Sequence, residues 1–359
     1  MKTSTLNLLA AGLVSAGVLT VSSGCTSSSC SKGSCCQADV PSCAEKGPYG
    51  HWALTLPYDT MNAGHLILAR DANGKPSATL LWRWASPTPA DVIALDDKRF
   101  TIQRPFSIPK GKNADKTAWR ALRVSGVISG KTAACTCVTV NGLGQNVDAP
   151  AAFTAVKNPP IGPAPDLAQV KYGAPVNLLA GSMADFELMG GANKVNGWSL
   201  KDGVLSNRVQ RDAKGKPTHK NGNLRTKRAD FFDFNLSYEV RVLPGCNSGV
   251  YLRGIYEIQV MDSYGKPVDC HNMAAFYGRI TPSVAAEKKA GEWQHVDVTL
   301  VDRHVTVILN GVKIIDNKPV EGPTGGAMTA NEFIPGPIYL QGDHTDADFR
   351  NMVLKPIIK

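Results

Sequence analysis

The feature that most constrains this chain is a period of two. Apolar and polar residues alternate in short runs from near residue 50 to the C-terminus. "GHWALTLP", "KRFTIQRPF", "TAWRALRVSGVIS", "FFDFNLSYEVRVL" and "WQHVDVTLVDRHVTVILNGVKIID" all carry it. Alternation of this kind reads as a half-buried β-strand, because successive side chains point to opposite faces. Turn residues punctuate the runs: Ala72-Asn73-Gly74-Lys75-Pro76 and Asn310-Gly311 are hairpin signals. Strands recur about every ten residues with few helical stretches, the pattern of sandwiches and barrels. "SVAAEKKAGEW" is the one stretch that suggests a helical turn.

A length of 359 residues allows two or three domains. Residues 47–156 read as a smaller all-β domain of about six strands, a barrel or a sandwich. Its Trp52, Trp82, Trp84 and Trp119 are core candidates. Trp82 and Trp84, on one strand face by spacing, are alternatively a platform for sugar rings. "KNPPIGPAPD" opens a proline-rich linker over 157–173, and 174–359 is a second β-rich unit. "RDANGKPS" and "RDAKGKPT", one in each unit, read as similar hairpin loops.

Hydrophobic residues make up 43% and charged residues 19%, which places the chain among globular proteins. The net charge of +9 is spread out, with local groups at Lys110–Lys116 and Lys214–Arg228, and no basic motif interleaved with aromatics points to nucleic acid. "MKTSTLNLLAAGLVSAGVLTVSSGC" has the n-region, short apolar core and small residues of a signal peptide, assigned to 1–24. Its end, Ser22-Ser23-Gly24-Cys25, resembles a bacterial lipobox, with Ser22 where an aliphatic residue is usual. Lipidation at Cys25, a Cys/Ser-rich tether over 25–46 and a membrane-anchored location facing the periplasm or cell surface are therefore expected. An ordinary cleaved signal is the alternative. Of nine cysteines, Cys25, Cys30, Cys35, Cys36 and Cys43 crowd the start. Export permits disulfides, with connectivity open. Cys135 and Cys137 alternate on one strand and should share a face.

"NSGVYLRGIYEIQVMDSYG", residues 247–265, carries charge and amide groups inside two apolar strands. Glu257 and Gln259 share a face, as do Tyr251 and Arg253 on the strand before. An unpaired buried carboxylate is costly, so Glu257 needs a partner or faces a polar pocket. A structural ion pair within a sheet, Arg253 with Glu257, is the plain alternative.

This stretch, together with "GEWQHVDVTLVDRHVTVILNGVKIID" and "GPIYLQGDHTDADFRNMVLKPI", resembles the DUF1080 family, the 3-keto-disaccharide hydrolase or 3-keto-glucoside 1,2-lyase/3-keto-2-hydroxy-glucal hydratase domain. The resemblance covers about residues 174–359. It implies a concanavalin A-like jelly-roll sandwich with sugar bound on a concave sheet face. It also implies an enzyme that removes the proton on C2, expels the group on C1 by β-elimination and hydrates the product. Where the family often has Thr-Gly-Ala-Leu-Tyr, this chain has "NMAAFYG" from Asn272 to Gly278. The replacement of a glycine by Met273 or Ala274 bears on the shape of the pocket wall.

On that resemblance, Glu257 or His344 is the candidate base and Arg253 the group at the keto or enolate oxygen. Asp343 or Asp262 orients His344 or binds hydroxyls. Asn247, Tyr251, Gln259, Asp343 and Gln341 are the candidate substrate-binding residues. No cofactor is certain. A divalent cation is a candidate, since Asp343, His344, Asp346 and Asp348 are oxygen- and nitrogen-rich, yet they match no fixed-spacing motif. The expected partners are a 3-keto sugar, the membrane through the lipid, and an oxidoreductase that makes the ketone. A carbohydrate-binding lipoprotein without turnover and a conventional two-carboxylate glycosidase are the other readings.

Overall fold

The computed structural model describes residues 47–107, 115–190, 194–216, 218–344 and 346–358. The signal segment, Cys25, the tether over 25–46 and most of the Lys110–Lys116 group lie outside these residues.

The first eight strands are β1 (Gly50–Thr55), β2 (Ala63–Arg70), β3 (Pro76–Trp82), β4 (Trp84–Leu95), β5 (Arg99–Ser107), β6 (Arg120–Ser129), β7 (Thr132–Val140) and β8 (Ala151–Lys157). Each pairs with the next, and β1 pairs with β8, so the sheet closes into a barrel and leaves no open edge. Inward residues Trp52, Leu54, Leu66, Leu80, Phe100, Ile102, Val124 and Phe153 fill it. The alternation suggested about six strands; there are eight, for two reasons. Small residues in β7 and β8 blur their apolar faces. The run "LLWRWAS" is not one strand, because the chain reverses at Arg83 (φ 64°), and Trp82 pairs with Trp84 across two strands. The two tryptophans therefore do not share a face of one strand. Trp82 packs edge-on against Phe153, while Trp84 is half exposed. Cys135 and Cys137 do share a face, both inside the barrel. Burial pushes the Cys135 thiol up to about 12, with Cys137 adding to it.

The second unit contains β9 (Lys171–Tyr172), β10 (Val176–Asn177), β11 (Phe186–Met189), β12 (Trp198–Lys201), β13 (Val204–Asn207), β14 (Asn223–Thr226), β15 (Phe234–Val242), β16 (Asn247–Leu252), β17 (Tyr256–Met261), β18 (Gln294–Val301), β19 (His304–Leu309), β20 (Val312–Pro319), β21 (Tyr339–Leu340) and β22 (Ala347–Ile358). They form a jelly-roll sandwich of two antiparallel sheets. The larger runs β12-β13-β22-β15-β18-β19-β20, with β9 and β10 also on β22; the smaller runs β11-β14-β21-β16-β17. Leu236, Tyr238, Val240, Val298, Val307 and Phe349 of the large sheet pack on Val250, Leu252, Tyr256, Ile258, Val260 and Leu340 of the small one. That core assigns the opposite face of the small sheet to the remaining, alternate residues.

Asn310 and Gly311 turn β19 into β20 with φ of 52° and 85°, as their sequence predicts. The two similar loops are alike in detail. Asp71 Oδ1 accepts from the N–H groups of Asn73 (2.8 Å) and Lys75 (2.9 Å), and Asp212 Oδ1 from those of Lys214 (2.8 Å) and Lys216 (2.9 Å). "SVAAEKKAGEW" is irregular rather than helical; the Gln294 side chain bonds both N–H and C=O of Lys288 at 2.8 Å and holds it open. The proline-rich connector is pinned to the sandwich, with Arg303 Nη1 donating to Pro159 O (3.2 Å) and Asn317 Nδ2 to Pro165 O (2.8 Å). Barrel and sandwich belong to one compact unit, Cys35–Lys359.

Candidate active site

The β16–β17 hairpin sets the register Asn247 to Met261, Gly249 to Gln259 and Tyr251 to Glu257. Since Val250, Leu252, Ile258 and Val260 face the core, Asn247, Gly249, Tyr251, Glu257 and Gln259 share the outer face. Tyr339 joins them from β21 and stacks on Tyr251, ring centroids 4.3 Å apart. Asn223 Nδ2 donates to Tyr339 Oη at 2.5 Å, and its Oδ1 accepts from the Gly342 N–H at 2.8 Å. Gln341 ties its backbone N–H to Gly249 O (2.9 Å), and its buried Oε1 makes no hydrogen bond among the described residues.

Glu257 is the titratable centre of this face. It is 3% exposed. Its carboxyl leans over Gly249, where a Cβ would lie 2.9 Å from the carboxyl carbon. Oε2 lies 2.8 Å from Tyr251 Oη, which is also 2.7 Å from Gly325 O. A phenol has one proton, so the two contacts form a directed chain. When Glu257 is protonated it donates to Tyr251, and Tyr251 donates to the Gly325 carbonyl. Burial pushes the Glu257 carboxyl up to about 8; the Tyr251 hydrogen bond pulls the other way and the Asp343 charge adds to the rise. Asp343 is thus close enough for its charge to be felt. Burial raises Asp343, yet the His344 hydrogen bond (2.7 Å) and charge, with Lys194 and Lys220, hold it below its ordinary value. The His344 ring itself is 52% exposed.

Two expected residues are elsewhere. Arg253 stands in the turn after β16 at φ 56° and is 2% exposed. Its guanidinium lies over the Phe232 ring (4.7 Å) and donates to Glu332 O (3.2 Å) and Tyr256 Oη (3.3 Å). It neither pairs with Glu257 nor reaches the outer face, because leaving the strand geometry ends the alternation that would have put it beside Tyr251. Asp262 follows β17 and caps a turn, accepting from Gly245 N–H at 2.9 Å. Gln259 is on the face but 1% exposed, with Oε1 taken by the Val260 N–H (2.9 Å). Met273 and Ala274 join the sandwich core rather than the pocket wall. Ala274 holds φ 60°, a left-handed conformation that glycine adopts without strain.

The loop after β21 does not gather ligands for a cation. Asp346 accepts from the Val209 N–H (2.8 Å), and Asp348 is held by Ser206, Arg208 and Arg241. Asp269, Cys270 and His271 present ligand-type atoms within 4.8 Å of one another. His271 Nδ1 already meets Asp269 Oδ1 (2.5 Å), however, and its Nε2 meets Ser86 Oγ (2.7 Å). The acids after β21 therefore do not converge on a cation, whereas the Asp269, Cys270 and His271 atoms are close enough to share one. A depression of about 460 Å³ bordered by Arg228, Asp230, Phe232, Asp233 and Pro356 does not include Glu257, and its Arg228 and Asp230 pair with each other at 2.7 Å.

Residues 176–355 match the model of the 3-keto-alpha-glucoside-1,2-lyase-like domain. The chain belongs to this family. The match spans the sandwich and leaves the barrel outside. A protein of Parabacteroides distasonis ATCC 8503, provisionally named a glycosyl hydrolase, is 28% identical, with 54% of this chain and 92% of that one covered and a TM-score of 0.39. Another from the same organism is 19% identical, covering 49% and 91%, with a TM-score of 0.39. The carbohydrate-binding module CBM66 of Bacillus subtilis is 12% identical, covering 47% and 93%, with a TM-score of 0.30. No curated protein matches the chain.

Spacing alone missed Tyr339, Asn223, Tyr277 and Gly325. Tyr339 sits beside the quoted Gln341, and its alternation with Leu340 is the signal that could have placed it. Asn223 bonds Tyr339, Gly325 bonds Tyr251, and the Tyr277 N–H donates to Glu257 O at 3.0 Å; all three come from loops and neighbouring strands, for which short-range pattern has no signal.

Proposed function

We propose that this is an exported enzyme, anchored by lipid at Cys25, that cleaves 3-keto-glycosides by elimination and hydration. The observation that carries the reading is Glu257: a buried carboxyl raised to about 8, on a sheet face otherwise lined by hydroxyl and amide groups. Such a group can take and return a proton near neutral pH, which a carboxylate of ordinary value does poorly. Membership of the 3-keto-alpha-glucoside-1,2-lyase-like family supports this substrate class.

In this reaction Glu257 takes the proton from C2, acidified by the neighbouring ketone. The C2–H electrons form C2=C3 and leave the negative charge on the keto oxygen. Tyr339 Oη and the Gln341 side chain, in place of Arg253, are the candidate donors there. As C3=O re-forms, C1=C2 forms and the C1–O bond breaks. His344, oriented by Asp343, protonates the departing oxygen. Water then adds its hydroxyl to C1 and gives its proton to His344, Glu257 returns the first proton to C2, and the net change is hydrolysis. The ketone must come from a preceding dehydrogenation of the 3-hydroxyl.

The test is aglycone release from a 3-keto-glucoside and from its unoxidised parent, by wild type and Glu257→Gln, each with and without a chelator. Release from the ketone alone, lost by about 100-fold or more in the variant, is expected. Equal release from the unoxidised parent would show a conventional glycosidase. Binding of either sugar with no product would show a lectin. Loss on chelation would show that a cation is needed.

A further inference from the structure

Among the described residues, the barrel approaches the Glu257 site at the reversal Arg83–Trp84–Ala85–Ser86 between β3 and β4. Three contacts fix it. Gly326 N–H donates to Arg83 O at 2.7 Å, and Ser86 Oγ meets His271 Nε2 at 2.7 Å. The third is a backbone approach so close that a Cβ on Gly325 would overlap the Ala85 carbonyl oxygen and lie 2.6 Å from its nitrogen. Gly278 gives way likewise, since its Cβ would stand 2.5 Å from Ser86 Oγ. These anchors belong to the site. Gly325 is the acceptor of Tyr251, and His271 meets the ring of Tyr277 at 5.2 Å, whose N–H donates to Glu257 O at 3.0 Å.

What this turn presents is Trp84. A Cβ at Gly326 would lie 2.7 Å from Tyr251 Oη and 3.6 Å from Trp84 Cζ3, so the indole edge and the hydroxyl bonded to Glu257 flank one small gap. The indole is 50% exposed, and the Arg83 guanidinium stands 4.9 Å over the ring. Arg83 and Ala85 on either side hold φ of 64° and 62°, left-handed values that side chains disfavour. A half-exposed tryptophan held between two strained residues, beside the reacting group, is the arrangement expected where strain serves a ligand.

Resting on the reading above, we propose that Trp84 is the platform on which the leaving-group ring of a disaccharide substrate stacks, so that the barrel completes the site. The polar groups for the ring being cleaved (Tyr339, Gln341, Asp343) all come from the sandwich, and the indole offers the flat apolar surface that a second hexose ring covers with its C–H face.

Two readouts test it on the full chain. In steady state, Trp84→Ala should raise KM for 3-keto-maltose about 10-fold or more, leaving kcat and the KM for methyl 3-keto-α-glucoside within about two-fold; Trp84→Phe should recover most of the loss. Calorimetry with maltose and methyl α-glucoside needs no turnover and should show weaker maltose binding in Trp84→Ala alone. Unchanged maltose binding, or equal losses for the two sugars, overturns the proposal. Absence of turnover by wild type would count against the elimination chemistry, while the calorimetric difference would still decide on Trp84.

Discussion

Glu257 is worth following through its proton. In the unfolded chain its carboxyl ionises at the ordinary value of 4.5; in the folded protein it does so at about 8. Between these values the folded state keeps a proton that the unfolded chain has lost. Its contribution to stability is therefore full below about pH 4.5 and declines as pH rises towards 8. Glu257→Gln removes this titration. The melting temperature of the variant relative to wild type should accordingly rise between about pH 5 and about pH 9. Tyr251 acts on the same proton, because its hydrogen bond favours the ionised form and opposes the effect of burial. Tyr251→Phe should move the limb of the kcat/KM profile from near 8 to higher pH, since the base must be ionised to act. A limb that stayed in place in Tyr251→Phe would assign it to another group.

At the scale of the element, the β16–β17 hairpin shows what alternation can and cannot place. Tyr251, Glu257 and Gln259 share a face because every second residue between them is an apolar core residue, and burying that set settles the register. The reasoning stops at Arg253. A turn residue at positive φ is not bound by the period of two, and its partner Glu332 lies 79 residues further on. Its role in the geometry is to tie the hairpin turn to that distant loop through hydrogen bonds and aromatic faces. Arg253→Ala should cost about 2 kcal/mol of stability, the scale of buried hydrogen bonds to a charged group. Measured well below the melting transition, kcat should stay within about two-fold of wild type. A large fall in kcat with the fold intact would return Arg253 to the chemistry. The all-β class, the hairpin turns and the polar face of β17 were legible because local period and turn chemistry determine them. Barrel closure and the anchoring of Trp84 were not, because they depend on contacts far apart in sequence.

Across the whole molecule, the seam between barrel and sandwich is built from charged and aromatic groups that no single segment announces. Glu332 is fully buried. Its carboxylate accepts from Asn158 Nδ2 (2.5 Å), Tyr256 Oη (2.6 Å) and Gly322 N–H (2.8 Å), with Arg303 at 3.6 Å. Beside it, His51 Nε2 meets Glu321 at 3.0 Å and Arg279 Nη2 meets His65 Nδ1 at 3.3 Å. Burial, then Arg279 and Arg303, lower His51 to about 4, so at neutral pH its contact with Glu321 is a hydrogen bond from a neutral imidazole rather than an ion pair. Burial and the same cations, with His51, hold His65 well below 6.5. In the unfolded chain both imidazoles take a proton as pH falls through about 6.5, which the folded protein refuses, so stability is lost from there down towards 4. Glu321, raised chiefly by burial, gains its proton in the folded state first and offsets part of that loss. Glu257, protonated in the folded state over the same interval, offsets a further part, so the melting temperature of wild type should fall only modestly between about pH 6.5 and about pH 4.5, and His51→Gln should shift the slope towards higher stability at low pH while keeping a donor for Glu321. Combining it with His65→Gln should shift it further. An unchanged slope in both variants would place the acid sensitivity outside the seam.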